Sequence, residues 1–282
     1  MRIAVIGATG QTGPHVVHGL IERGHEVIAV GRDAGRLAGC DTRARRMVAE
    51  ATDIATLSIA LADADAVACL APHQLLHAVL AATPPSCRRV VAAGSIRKYS
   101  RYGDAGARSA RRVDAVMRAS GRPGVVLNFS MIYGQPEDRT VNRMLALVRR
   151  SSVIPLPDGG RHMVQPIYIA DMVAAVAAAL ERPEALGPSI DVAGPAPISY
   201  RAMVEACAAA LSRKISILPL WSAPFVAGET MAGWFGATLP FIGEFARMAE
   251  DKHIDIADMR ARLGVEPISF EEGLKRRLAL RT

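Results

Sequence analysis

The chain has 282 residues, of which 50% are hydrophobic and 5% aromatic, enough to bury an α/β core and leave residues for a smaller second lobe. Its formal net charge of +7 comes from arginines and lysines scattered along the sequence, without the interleaved aromatic side chains of a nucleic-acid platform. We therefore expect no nucleic-acid partner, and the charge favours an anionic ligand.

The cysteines are far apart in the sequence and form no C-x-x-C pair: Cys40, Cys69, Cys87 and Cys207. This spacing predicts reduced thiols and excludes a disulfide framework or a zinc site. The first strand begins at residue 2 or 3, which leaves no room for a signal peptide, and prolines and glycines interrupt every long apolar stretch. We expect a cytoplasmic protein without a transmembrane segment, although contact with a membrane surface stays open.

A glycine-rich loop, Gly7–Gly13, separates the apolar run Ile3–Ile6 from a helical pattern that begins near Val16. Glycines at these positions allow a sharp exit from the strand, close approach of a phosphate and tight packing of the helix. Backbone N–H groups and the positive end of the helix then face a diphosphate. The loop predicts a dinucleotide-binding site, with contacts from Gly7, Thr9, Gly10, Gln11, Thr12 and Gly13.

The second strand ends at Gly31-Arg32-Asp33. NAD sites usually place a carboxylate here, whereas a guanidinium suits the 2′-phosphate of NADP, so Arg32 favours NADP(H). In the alternative, Arg32 stacks on the adenine, or Asp33 contacts the ribose and NAD(H) is used. Glu50, after the third strand, is a predicted neighbour of the adenine, and Asp53 is interpreted as the N-cap of the next helix.

Short apolar runs alternate with helical patterns throughout the first half of the chain. The predicted strands are Ile3–Ile6, Val27–Val30, Arg46–Val48, Ala66–Leu70, Val90–Ala93 and Val125–Asn128. This alternation predicts an α/β protein with a Rossmann-type, doubly wound parallel sheet whose two faces are both covered by helices. Ligands bind such sheets beyond the carboxyl ends of the strands.

The second half is less regular. We predict a further strand at Ile190–Ala193, helices over Asp171–Leu180 and from Tyr200, and a strand-like run at Ile215–Leu218. Residues 1–132 are predicted to form the NAD(P)-binding core. Residues 133–282 complete the sheet and form a small C-terminal substrate lobe, within one structural unit.

One segment is rich in aromatic residues and methionine: Phe225, Met231, Trp234, Phe235, Phe241, Ile242 and Phe245. We expect it to cover the substrate pocket or to pack the small lobe. A lipophilic substrate or contact with a membrane surface is the alternative.

Two pairs of histidines, His15 with His18 and His73 with His77, have spacings that place both rings on one helix face. No carboxylate or cysteine pattern nearby supplies a third ligand, so we expect no metal site.

The chain resembles the extended and atypical short-chain dehydrogenase/reductase superfamily, in particular the branch with NmrA-like regulators and the nicotinamide-binding accessory subunit of respiratory complex I. The matching segments are Gly7–Gly13, Arg32, Leu70–Pro72, Ala93–Ser95, Phe129–Gly134, Val164–Met172, Leu263–Pro267 and Phe270–Leu274. The resemblance implies further cofactor contacts from Leu70, Ala71, Pro72, Ser95, Phe129, Ser130 and Met131.

The chain departs from that superfamily at the catalytic pair. Catalytic members use a tyrosine as acid and base, with a lysine four residues later that lowers the pKa of the phenol. The tyrosines here are Tyr99, Tyr102, Tyr133, Tyr168 and Tyr200, and none is followed by lysine at that spacing. Matching Ser109-Ala110 to the family's Ser-Lys places Gly106 at the tyrosine position and Ala110 at the lysine position.

Three functions agree with this pattern. We favour an NADP(H)-dependent oxidoreductase, acting on a small or lipophilic substrate, in which water or another group supplies the proton. The candidate groups are Ser95, Tyr99, Tyr102, His73 and His162. For the tyrosines and histidines, a surface or packing role is the favoured alternative. Ser95 either polarises a substrate oxygen, as the family's serine does, or caps the next turn.

The second function is a non-catalytic redox sensor or an accessory or assembly protein. In the third, a cationic segment holds an acidic substrate, an anionic headgroup or an acidic partner, and a solvated helix face is the favoured alternative. Its residues are Arg97, Lys98, Arg101, Arg108, Arg111 and Arg112. The oligomeric state is not predicted.

Overall fold

The first half of the chain is a strict alternation of strands and helices. The structure, a computed structural model, describes residues 1–101, 105–224 and 248–279. The elements are β1 (Arg2–Ile6), α1 (Gly13–Glu22), β2 (Glu26–Gly31), α2 (Ala34–Ala38), β3 (Arg45–Val48), α3 (Ile54–Leu61), β4 (Ala66–Cys69), α4 (Leu76–Ala82), β5 (Arg89–Ser95), α5 (Ala105–Ala119) and β6 (Gly124–Phe129). All six strands predicted for this half are confirmed.

The second half contains shorter strands. Its elements are β7 (Ile132–Tyr133), α6 (Thr140–Arg150), β8 (Val153–Pro157), β9 (Met163–Val164), β10 (Ile167–Tyr168), α7 (Ile169–Glu181), β11 (Ile190–Val192), β12 (Ile198–Ser199), α8 (Tyr200–Ala210), β13 (Ser216–Leu220) and α9 (Phe270–Ala279). Pro166, which lacks an N–H, separates β9 from β10, and these two strands pair with different partners, β12 and β7.

The central sheet has seven parallel strands among the described residues, in the order β11-β6-β5-β4-β1-β2-β3. The chain runs outward from β1 through β2 to β3, then crosses back to β4 on the other side of β1. The strand order therefore reverses between β1 and β4, which opens a crevice beyond their carboxyl ends. This confirms the predicted Rossmann-type, doubly wound α/β fold.

Both faces of the sheet are buried, which explains the continuous apolar strands. Successive residues of β1 point to opposite faces, so Ile3 and Val5 join one core cluster and Ala4 and Ile6 join the other. Residues of α1 and α7 pack on the first face, and residues of α3, α4 and α5 pack on the second. The sheet is thus held rigidly from both sides, and its strand ends form a fixed platform for a site.

Beyond the main sheet, three pairs of short strands organise the second half: β7 with β10, β9 with β12, and β8 with β13. None of the helices in the described part of the chain is long and apolar enough to cross a membrane. The aromatic segment that includes Phe225 and Phe245 lies outside the described residues. The division at residue 132 stays a prediction.

Gly13 provides a test of how tightly α1 packs on the loop before it. A Cβ at Gly13 would lie 2.3 Å from the carbonyl oxygen of Gly7 and 2.5 Å from the carbonyl carbon of Ala8. Because these are backbone atoms, they cannot rotate away, so we expect Gly13→Ala to lower the free energy of unfolding by about 1–3 kcal/mol. Chemical denaturation measures this change.

Gly39→Ala is the matched control, since Gly39 has a φ of −81° and its Cβ would meet nothing closer than the carbonyl oxygen of Arg36 at 3.4 Å. Equal unfolding free energies for the Gly13→Ala variant and the native protein would contradict the close packing described here.

Candidate functional site

The glycine-rich loop connects β1 to α1 at the point where the strand order reverses. Gly7 has a φ of +83°, a conformation that side chains with a Cβ rarely adopt. The N–H groups of Gly7 and Ala8 both donate to the carbonyl oxygen of Val30, at 3.2 Å each, and the N–H of Gly10 donates to the carbonyl of Gly7 at 2.9 Å. These bonds hold the loop as a tight turn against β2.

The loop has no space for side chains at two of its glycines. A Cβ at Gly7 would lie 3.1 Å from the N–H nitrogen of Ala71, in the segment after β4. Gly13, the first residue of α1, packs directly against the loop, because a Cβ there would lie 2.3 Å from the carbonyl oxygen of Gly7. Gly10 and Gln11 are exposed at the crevice. Thr12 precedes α1 without making a side-chain capping bond, so its side chain leaves the N–H groups of the first turn to a ligand. The cradle fits a dinucleotide diphosphate.

Two guanidinium groups follow the second strand beside this loop. Arg32 is exposed directly after β2, and Arg36 in α2 donates from Nη2 to the carbonyl oxygen of Thr9 at 2.6 Å. The Asp33 carboxylate caps α2 by accepting from the N–H of Arg36 at 3.0 Å. Arg36 was not singled out in the sequence. The signal that identifies it is its position four residues after Arg32, in the helix that follows the second strand.

The residues predicted near the adenine have local backbone contacts. Glu50 Oε1 accepts from the N–H of Ala51 at 3.1 Å. The Asp53 carboxylate accepts from the N–H groups of Ala55 and Thr56 at 3.0 and 3.3 Å, which confirms its interpretation as the N-cap of α3.

The segments after β4 and β6 border the same crevice. Leu70 and Ala71 contact the glycine loop, and Pro72 is exposed. Phe129 is in the core, and the buried Ser130 donates from Oγ to the carbonyl oxygen of Gln165 at 2.5 Å. Among Phe129, Ser130 and Met131, Met131 alone is partly exposed. We therefore expect Phe129 and Ser130 to contribute shape and backbone groups to the cofactor site.

Ser95 ends β5, as predicted. Its Oγ accepts from the N–H of Arg97 at 3.2 Å and so caps the short turn Ile96–Tyr99, which is the alternative role considered for it. His162 lies between the carboxylates of Asp158 and Asp251, at 3.1 and 3.5 Å. Tyr102 lies outside the described residues.

Tyr99, the last residue of the turn Ile96–Tyr99, belongs to a cluster of charged groups. Its side chain is 60% exposed, and its hydroxyl donates to Asp191 Oδ2 at 2.7 Å. Lys98 Nζ lies 3.1 Å from Asp191 Oδ1 and 3.5 Å from Asp114 Oδ2, and Asn128 Nδ2 donates to Asp191 Oδ1 at 3.0 Å.

Burial, together with the hydrogen bond to Asp191 and its negative charge, raises the pKa of Tyr99 despite the nearby Lys98. The phenol is therefore held protonated, unlike the phenol of a Tyr-Lys pair. Sequence reasoning missed Asp191 and Asn128 because only the pairing of β11 with β6 brings them opposite each other.

A cleft of about 360 Å³ opens beside Tyr99. Its lining includes Ile96, Asp191, His253 and Ile254. The buried carboxylate of Glu250 fixes one wall, since it accepts from Ser100 Oγ at 3.0 Å and from the N–H of Arg101 at 2.6 Å. This cleft lies beyond the carboxyl end of β5, so it is the candidate substrate cleft.

The histidine pairs do not converge on a ligand set. In the described part of the chain, no group of three or more histidine, cysteine, aspartate or glutamate side chains is arranged to hold a metal ion. His18 Nδ1 instead lies 3.0 Å from Asp41 Oδ2.

A family model described as NAD(P)H-binding matches residues 7–147, half of the chain. The chain belongs to this NAD(P)H-binding family. The more specific resemblance to NmrA-like proteins stays a prediction.

Among curated proteins, the 3-diazoavenalumate denitrifying reductase of a Streptomyces species is 27% identical over 225 residues, an alignment that covers 64% of this chain and 72% of the relative. Solved structures share the fold. UDP-N-acetylglucosamine 4-epimerase from Bacillus cereus superposes with a TM-score of 0.76 at 17% identity, over 100% of both chains. UDP-glucuronic acid 4-epimerase from Bacillus cereus, in complex with UDP-glucuronic acid and NAD, superposes with a TM-score of 0.76 at 17% identity. That superposition covers 99% of this chain and 98% of the epimerase.

The Tyr99 cluster generates a titration prediction. Because the Asp191 carboxylate accepts a hydrogen bond from the phenol of Tyr99, replacing it by a neutral amide in Asp191→Asn removes the charge that opposes ionisation. We expect the pKa of Tyr99 to fall from its raised value toward the ordinary value. The ultraviolet absorbance of phenolate, followed against pH, measures this pKa. The titration curve of a Tyr99→Phe variant is subtracted to isolate the signal of Tyr99.

Ser189→Ala serves as the control, since Ser189 bonds Asp114 and Lys98 in the same cluster but bears no charge. A pKa of Tyr99 that stays unchanged or rises in Asp191→Asn would contradict the arrangement.

Proposed function

We propose that the protein is an NADP(H)-dependent reductase of a small organic electrophile. The observation that carries the proposal is the glycine loop at the β1–β4 crevice, which has no side chains at Gly7 and Gly13 and has two guanidinium groups beside it. The cradle accounts for the diphosphate, and Arg32 and Arg36 supply charge for a 2′-phosphate. Family membership supports the nicotinamide cofactor itself, and the choice of NADP(H) over NAD(H) rests on these two side chains.

Asp33 supports the same preference. An NAD site uses a carboxylate after the second strand to bind both ribose hydroxyls. Here the Asp33 carboxylate caps α2, and moving it to the ribose would leave the N–H of Arg36 without that partner. A 2′-phosphate contacted by two guanidinium groups gains charge-assisted hydrogen bonds instead.

The chemistry proposed is reduction without a phenol as proton donor. A bound nicotinamide supplies hydride. If Ser109-Ala110 is matched to the family's Ser-Lys, Gly106 and Ala110 take the positions of its tyrosine and lysine. Tyr99 donates to Asp191. Electrophiles that accept hydride without consuming a proton suit such a site. A diazonium group is one: the carbon that receives hydride forms a C–H bond as N₂ leaves with the electrons of the C–N bond. The name of the Streptomyces relative points to a diazo substrate for that protein.

The second candidate function is a nicotinamide-binding sensor or accessory protein without turnover. The missing Tyr-Lys pair favours it, and the cleft beside Tyr99 then receives a partner or an effector. For either function we propose a reducing cytoplasm as the location, since all four cysteines are buried and unpaired.

Cofactor preference is tested at the two arginines. We expect Arg32→Ala to weaken NADPH binding about ten- to hundredfold, the loss of one charge-assisted contact, while changing NADH binding much less. Arg36→Ala is expected to act in the same direction. Isothermal titration calorimetry with both cofactors measures the difference.

Arg45→Ala is the matched control, because it removes an equal charge from an exposed residue of β3 whose guanidinium pairs with Asp63 at 2.9 Å. If Arg32→Ala lowers the affinity for NADPH and for NADH equally, the assignment of Arg32 to the 2′-phosphate is wrong.

Turnover is tested with NADPH and a panel of carbonyl compounds, enones and arenediazonium salts. We expect consumption of NADPH with at least one class and, for a diazonium, one N₂ released per NADPH oxidised. The Arg32→Ala, Arg36→Ala double variant at subsaturating NADPH controls for direct chemical reduction. Tight NADPH binding without consumption across the panel would support the sensor instead.

A further inference from the structure

We propose that the ring of Tyr99 is a stacking surface for a planar aromatic substrate in the candidate substrate cleft. This inference rests on the proposed function, because it specifies the class of electrophile that the same site takes: one whose reacting group is attached to a flat aromatic ring.

Tyr99 combines exposure with a fixed orientation. It is 60% exposed and lines the cleft of about 360 Å³. Two contacts restrict its ring, since the hydroxyl donates to Asp191 Oδ2 at 2.7 Å and the Lys98 Nζ lies 4.9 Å from the ring centroid. The first contact holds the end of the side chain and the second covers one face of the ring. The ring therefore loses little further conformational freedom when a ligand binds against it.

Lys98 leaves the other face of the ring open to the cleft. The Lys98 side chain is only 12% exposed, and it pairs with Asp114 and Asp191. The lining of the cleft includes Tyr99 but not Lys98. The face covered by Lys98 is thus directed into the protein, and the exposed part of the ring belongs to the opposite face and the edges. A cation so close to a ring attracts its π electrons, which reduces the repulsion that a second ring stacked on the open face would meet.

The carboxylates in the lining of the cleft are already bonded within the protein. Each of the four accepts a hydrogen bond from a protein donor: Asp191 from Tyr99, Glu250 from Ser100, Asp251 from the N–H of Met163 and Asp255 from the N–H of Ala257. These oxygens fix the wall of the cleft, so recognition of the substrate falls on the other groups that line it.

Two isoleucines add apolar surface to the same lining, Ile96 and Ile254. Gln165 holds Ile254 in place, because its Oε1 accepts from the N–H of Ile254 at 2.8 Å and its Nε2 donates to the carbonyl oxygen of Ile254 at 3.0 Å. An aromatic face together with fixed apolar side chains suits a flat ring, and the cleft volume is at the small end of the range for ligand pockets.

The experiment compares two neutral alcohols, planar 2-naphthylmethanol and its saturated analogue decahydro-2-naphthylmethanol, by isothermal titration calorimetry with and without NADP⁺. We expect saturable binding of the naphthyl compound to the native protein, about three- to tenfold tighter than that of the saturated one. Tyr99→Leu is expected to abolish this preference, because leucine keeps an apolar side chain but has no π face. Tyr99→Phe keeps the ring and is expected to lose less affinity for the naphthyl compound than Tyr99→Leu.

Trp221→Leu is the matched control, since it removes an aromatic side chain that is 76% exposed and outside the lining of the cleft, and it keeps the native preference. A single cooperative thermal unfolding transition verifies the fold of each variant.

Four results would overturn the inference: native protein that does not bind the naphthyl compound or binds both compounds equally, a preference that survives in Tyr99→Leu, a loss in Tyr99→Phe as large as in Tyr99→Leu, or an equal loss in Trp221→Leu. Failure of NADP⁺ to bind would contradict the proposed function separately, and the titration without cofactor then still tests Tyr99.

Discussion

The close approach of three backbone segments determines the rest of the site. The exit of β1, the start of α1 and the segment after β4 meet within van der Waals distance at Gly7 and Gly13, where a Cβ would touch backbone atoms. Because no side chain fits between them, the N–H groups at the start of α1 remain accessible to a ligand. The parallel sheet, buried on both faces, keeps these segments in register. A phosphate site of this kind needs rigidity more than any particular polar side chain.

Electrostatics then separates the crevice into two parts. Near the loop, Arg32 and Arg36 provide positive charge at the end of the second strand. Beyond β5, the carboxylates of Asp191, Asp114 and Glu250 are already occupied by Lys98, Ser189, Tyr99 and the backbone of residue 101. The acidic groups there organise the wall of the cleft. Burial and Asp191 together raise the pKa of Tyr99, which argues against a simple transfer of the family's acid to that residue.

The chain has the Rossmann-type fold although none of its tyrosines is followed by a lysine four residues later. The Arg97 guanidinium lies beside Gly106, where a Cβ would come within 2.5 Å of its Nη1 atom. A related fold binds UDP-glucuronic acid and NAD in the 4-epimerase of Bacillus cereus. One scaffold can support different reactions through a few side chains at the strand ends.

The sequence by itself determined the strands of the sheet, the glycine loop and the helix cap at Asp53, because these depend on local features: apolar periodicity, glycine conformations and short-range hydrogen bonds. It also placed Arg32 and Ser95 at strand ends. Only the tertiary structure joined Tyr99 to Asp191, Arg36 to Thr9 and Arg97 to Gly106. Each of these contacts depends on how a strand end or a helix turn is placed by packing elsewhere in the fold. Side chains that are far apart in the sequence become partners through strand order and register, which no local sequence pattern encodes.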